Sequence, residues 1–98
     1  MAELSGKQRR HLRALGHHLS PVLQIGHEGV TDSVVAQANS QLDAHELIKV
    51  KVSEASPLPR HEAAEQLASA THSELAQVLG RTFLLYRGRD KDPRIQLP

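Results

Sequence analysis

Apolar positions change period several times along the chain, and each change marks an element. Leu12, Leu15 and Leu19 recur at i, i+3 and i+7 behind Ser5. That spacing predicts a capped helix running to about His18 with the three leucines as its apolar stripe. Lys7, Arg9, Arg10 and Arg13 fall on an arc roughly opposite the stripe. Pro21 ends the helical signal, and Val22-Leu23-Gln24-Ile25 reads as a short buried strand. Gly26-His27-Glu28-Gly29 follows as a loop, and Thr31-Asp32 offers a cap for a second helix through Ala44, with Val34, Val35, Ala38 and Leu42 inside. From Glu46 to Ser53 the period is two. Ile48, Val50 and Val52 face one way, while Lys49 and Lys51 face the other, which is expected to be wet.

Pro57-Leu58-Pro59 is a connector with Pro59 placed for a helix start. The third helix extends to about His72, and its inner side of Ala63, Ala64, Leu67 and Ala68 implies close approach to what lies beneath. Leu75–Leu79 and Thr82–Arg87 read as strands joined by a Gly80-Arg81 hairpin turn, with Phe83 and Leu85 on one face and Thr82, Leu84 and Tyr86 on the other. The order α-β-α-β-α-β-β predicts an α/β fold of the two-layer α+β kind: one mixed four-stranded sheet with three helices. The βαβ units call for parallel pairing and the last hairpin for an antiparallel pair. Residues 1–88 form a single expected domain, and residues 89–98 a polar, mobile tail in which Ile95 and Leu97 can add a short edge contact.

Composition narrows the chemistry. With no cysteine there is neither a disulfide framework nor a thiolate nucleophile. No apolar run approaches a membrane span, and no secretory signal precedes the first helix, so a soluble cytoplasmic domain is expected. The seven histidines are scattered, and only His61 with Glu65 has the i, i+4 spacing of a helical metal pair, on an exposed face. His17-His18 lies where helix-end side chains satisfy final carbonyls. No phosphate-binding or nucleophile-elbow motif occurs. The expectation is a protein without catalytic residues, metal or cofactor.

Charge changes the picture further. Net charge is only +1, yet residues 1–13 sum to +3, residues 14–80 to −5 and residues 81–98 to +3. No acid occurs from Leu4 to His27 or from Leu75 to Arg89. Two basic ends suit a polyanion. A glycine pair three apart, between a strand and a helix start, lets a sugar-phosphate backbone come close, as in the loop of KH domains. Phe83 and Tyr86 are the only aromatics, so a stacking platform is nearly excluded and phosphate contacts would carry the binding.

The chain resembles the CRM domain (chloroplast RNA splicing and ribosome maturation), in its stand-alone bacterial, YhbY-like form. Leu4-Ser5-Gly6-Lys7-Gln8-Arg9 with Leu12, Leu19 to Val22, and Ile25-Gly26-His27-Glu28-Gly29-Val30-Thr31 carry the resemblance. So do His45-Glu46-Leu47-Ile48-Lys49-Val50-Lys51-Val52 and Gly80-Arg81-Thr82 to Tyr86-Arg87. The resemblance implies a fold like the C-terminal domain of translation initiation factor 3, and RNA binding in precursors of the large ribosomal subunit. It also implies an RNA-facing set of Lys7, Arg9, Arg10 and Arg13, the loop Gly26, His27, Glu28 and Gly29, and the basics Lys49, Lys51, Arg81 and Arg87. The chain departs from many members in carrying an acid, Glu28, inside the loop. A monomer is expected, and Gly29→Asp is expected to abolish RNA binding with the fold largely intact. The alternatives are a protein-interaction adaptor docking a basic partner on the acidic middle of the chain, and a general single-stranded RNA binder.

Overall fold

The computed structural model describes residues 4–98; the first three residues of the expected 1–88 domain lie outside the described residues. The elements are α1 (Gly6–Gly16), β1 (Leu23–Ile25), α2 (Asp32–His45), β2 (Leu47–Val52), α3 (Arg60–Thr71), β3 (Glu74–Leu79) and β4 (Thr82–Tyr86). Local chemistry sets their ends. Ser5 and Gln8 form a capping box on α1, and the Thr31 side chain accepts from the Val34 N–H at the start of α2. The last carbonyls of α1 are closed by backbone N–H groups of His17, His18 and Leu19, not by the imidazoles of His17-His18.

The strands form one sheet in the order β1-β2-β4-β3. β1 pairs parallel with β2, and β4 pairs antiparallel with both β2 and β3. The second βαβ unit therefore does not place its strands side by side, because β4 returns from the hairpin and inserts between β2 and β3. The fold class of three helices on a four-stranded mixed sheet stands. The number of layers differs from expectation. Helices α2 and α3 cover one face, over a core of Ile25, Ala38, Leu42, Val50, Leu67, Phe83 and Leu85 among others. Helix α1 covers the opposite face, over Leu12, Leu47, Ala76, Leu84 and Tyr86. The sheet is thus the middle of three layers.

This arrangement corrects two expectations. The lysine face of β2 is not wholly wet, because Leu47 and its cross-strand partner Tyr86 lie on that side under α1. Nor do three leucines seat α1. Leu12 is fully buried, but Leu15 and Leu19 are exposed. One turn beyond Leu12 the contact is made by Gly16, whose backbone lies so close to the sheet that a Cβ there would overlap the methyls of Leu84.

The tail is also seated rather than projecting free. Glu46, fully buried and itself at φ 64°, accepts hydrogen bonds from the backbone N–H groups of Arg89, Arg94 and Ile95. Ile95 and Leu97 pack against the smaller core. A buried carboxylate needs such partners, and the sequence pattern gives no hint of them.

Candidate nucleic-acid interface

One end of the sheet gathers the glycine loop, the hairpin and the connector before α3. Ser53 donates its N–H to the Ile25 carbonyl at 2.9 Å, and Val52 donates to that of Arg81 at 2.7 Å. The loop is a turn closed by the Gly29 N–H on the Gly26 carbonyl at 3.0 Å. Gly29 is buried, has φ +74°, and lies beside Pro57. Gly26 is half-buried, with open space where a Cβ would stand. His27 and Glu28 project from the tip, more than three-quarters and three-quarters exposed, with Nε2 and Oε1 3.9 Å apart. Gly29 therefore shapes the turn, while Gly26 leaves its surface accessible. A side chain at Gly29 strains the turn itself, so in Gly29→Asp a cost to the fold adds to the repulsion of phosphate.

Strand register sets a row of side chains beside this loop. Gln24 pairs with Lys51, Lys51 with Thr82, and Thr82 with Leu79, across all four strands. Side chains alternate along a strand, so this row lies on the α1 side of the sheet. It is beyond the stretch that Leu12 and Gly16 cover, and Gln24, Lys51 and Leu79 are exposed. Lys49, half-buried, stands one step behind Lys51 on the same side. On α1 itself Lys7, Arg10 and Arg13 are exposed. None of Lys7, Arg10, Arg13, Lys49 and Lys51 forms an ion pair among the described residues.

Two expected RNA-facing cations are engaged elsewhere, and a third is paired in place. Arg9 is half-buried and donates from Nη1 to the Leu75 carbonyl at 2.6 Å. Arg87 is a cross-brace. Its Nη1 donates to Asn39 Oδ1 and the Thr71 carbonyl, and its Nη2 to the Asn39 carbonyl and Asp43 Oδ1. It joins β4 to the acidic layer and does not face the loop. Arg81 stays at the loop end, but pairs with Glu54 at 3.0 Å. Both loss of Arg9 and loss of Arg87 from the exposed set follow from tertiary neighbours that lie 66 and 16–48 residues away. Gln24 and Thr82 enter the row without having been singled out, because only cross-strand register brings them beside Lys51.

The two outer layers differ in sign. Helix α1 carries Lys7, Arg9, Arg10 and Arg13 and no acid, whereas α2 and α3 together carry Asp32, Asp43, Glu62 and Glu65 against Arg60. Helix by helix, the sheet therefore separates a positive layer from a negative one, whose α2 C-terminal end is met by Arg87, Arg89 and Arg94; Lys49 and Lys51 lie on the α1 side. Such a surface attracts polyanions and orients them. The two aromatic rings are both buried, Phe83 at 1% and Tyr86 at 6% exposure, so neither offers a stacking face. No group of three or more potential metal-ligating side chains occurs among the described residues.

Known proteins point the same way. The family model for the CRS1 / YhbY (CRM) domain matches residues 4–87. A protein of Bacillus subtilis named "Probable RNA-binding protein YqeI" is 40% identical over 95 residues, covering 97% of this chain and 99% of its own. One of Haemophilus influenzae, named "RNA-binding protein", is 38% identical over 98 residues, covering 100% of this chain and 98% of its own. The solution structure of a hypothetical protein from Staphylococcus aureus superposes with a TM-score of 0.83 at 41% identity, over 97% of this chain and 99% of that one.

Proposed function

The chain belongs to the CRS1/YhbY (CRM) domain family, and on that premise we propose that it is a non-catalytic RNA-binding protein that associates with ribosomal RNA in precursors of the large subunit and assists their assembly. The observation that carries the reading is the separation of charge across the sheet, with Lys7, Arg10, Arg13, Lys49 and Lys51, which form no ion pair among the described residues, all on the α1 side. Phosphates lie along that side. Lys7, Arg10 and Arg13 dock one stretch of backbone, and Lys51 leads it toward the loop, where Gly26 offers approach without a Cβ. Glu28 at the tip and Asp32 at the start of α2 add negative charge that opposes phosphate, so the loop's contribution comes from backbone N–H groups alone. With the aromatic rings buried, affinity rests on phosphate contacts and falls steeply with salt.

Ultraviolet crosslinking in living cells, followed by sequencing of the attached RNA, tests the proposal. Reads concentrated in a few segments of large-subunit ribosomal RNA are expected. Reads scattered over messenger and transfer RNA would reduce the function to general RNA binding. Ribosome association that survives nuclease treatment, with almost no crosslinked RNA, would favour an adaptor that docks a basic protein on the acidic α2–α3 layer.

A further inference from the structure

Between the end of α1 and the edge strand β1 the surface opens into a groove of about 510 Å³. Leu15, Leu19 and Val22 form its walls and remain 38%, 37% and 43% exposed, while Leu47 lies at its floor. Three large apolar side chains left in water around one groove mark a binding surface. Lys49 and Arg94 stand among its lining residues, and none of those described is a carboxylate. Lys49 thus belongs both to the groove and to the basic side of the sheet. Lys51 is two residues further along the same strand, about 7 Å away. Strand β1 has only three residues, so the groove and the glycine loop lie at its two ends, about 10 Å apart.

We propose that this groove is a nucleobase subsite. A base unstacked from a single-stranded segment inserts between Leu15, Leu19 and Val22, while its flanking phosphates rest on Lys49 and on the donors that Arg94 keeps beyond the one from Nη1 to the Ala44 carbonyl at 3.2 Å. The inference rests on the RNA-binding reading and deepens it from a phosphate track to a surface that also holds a base. Charge complementarity and continuity with the basic row select this occupant: a flat, largely apolar body between two anionic groups matches apolar walls between two cations. The interior position of Phe83 and Tyr86 leaves base contacts to aliphatic side chains.

The test uses the full chain and a short single-stranded oligoribonucleotide, together with versions abasic at one position each. Removing a base at one or two neighbouring positions is expected to weaken binding about tenfold, the loss for withdrawing part of one base's apolar surface from the groove, and at the others to change nothing. Leu19→Gln and Val22→Gln should weaken the intact oligomer to the abasic level and remove the position dependence, with the salt slope unchanged. Both side chains are exposed, so the thermal midpoints should stay close to wild type. Equal affinity for every abasic version, or unchanged affinity in Leu19→Gln, overturns the subsite. Sedimentation showing a dimer that Leu19→Gln dissociates overturns it in favour of a second copy of the chain. Failure of the wild-type chain to bind any RNA overturns the RNA-binding reading itself, and the groove with it.

Discussion

Arg9 donates from Nη1 to the carbonyl of Leu75 at 2.6 Å, at the point where β3 bulges. Leu75 pairs with Leu85 and Gln77 with Leu84, so Ala76 is an extra residue in the ladder and is buried against α1. The guanidinium therefore ties α1 to an edge strand whose pairing is interrupted. A helix face of four cations is thereby divided into one structural residue and three that form no ion pair among the described residues.

Arg9→Ala should destabilise the fold by about 2 kcal/mol, the usual cost of losing a partly buried charged hydrogen bond, and leave the salt dependence of RNA binding nearly unchanged. Arg10→Ala with Arg13→Ala should do the reverse. The stability change should stay within about 0.5 kcal/mol, and the slope of log affinity against log salt should shrink by roughly 1.4 for single-stranded RNA. Urea denaturation and titrations at several salt concentrations measure the two effects separately.

Arg87 spans Asn39, Asp43 and Thr71 with the fork of its guanidinium. Arg87→Lys retains the charge but not the fork, so it should still lose about 2 kcal/mol of stability. A Lys variant as stable as wild type would mean that charge alone suffices at this position.

The two loop glycines should separate by readout. Gly29→Ala puts a side chain at φ +74° and should cost about 1 kcal/mol of stability. Gly26→Asp enters open space, so the melting curve should stay near wild type while RNA affinity falls through repulsion of phosphate. Unchanged affinity in Gly26→Asp would remove the loop from the interface.

Glu46→Ala should free the segment that Glu46 holds. The Arg89, Arg94 and Ile95 amides that donate to it should lose hydrogen-exchange protection, and stability should fall by about 2 kcal/mol. Protection that persists would show that Ile95 and Leu97 seat the segment by packing alone.

Burial, and secondarily the Glu46 carboxylate, raise the pKa of the Tyr86 hydroxyl above its ordinary value of 10.0. The unfolded chain loses that proton before the folded one does, so the folded state binds more protons once pH passes the unfolded value. Stability should therefore fall as pH rises through that value and level off above the folded one. Tyr86→Phe should flatten this alkaline limb in a series of denaturation curves. A limb of unchanged steepness would assign it to other groups.

The order of elements, their caps and the two-faced pattern of β4 were legible in the sequence because periodicity and capping are local. Ser5 with Gln8, and Thr31 with Val34, act over three residues. The positive arc of α1 was legible for the same reason, as was the resemblance carried by contiguous motifs. Tertiary structure alone decided which face α1 covers, since Leu12 and Gly16 find their partners only once β2 and β4 are paired. It also decided which cations remain free. Arg9 and Arg87 look no different in sequence from Arg10 and Arg13, but carbonyls and carboxylates distant along the chain claim the first pair and leave the second to solvent. The row through Gln24, Lys51, Thr82 and Leu79 likewise exists only as cross-strand register. Local pattern set which side chains could point outward together; the long-range contacts set which of them had anything left to bind.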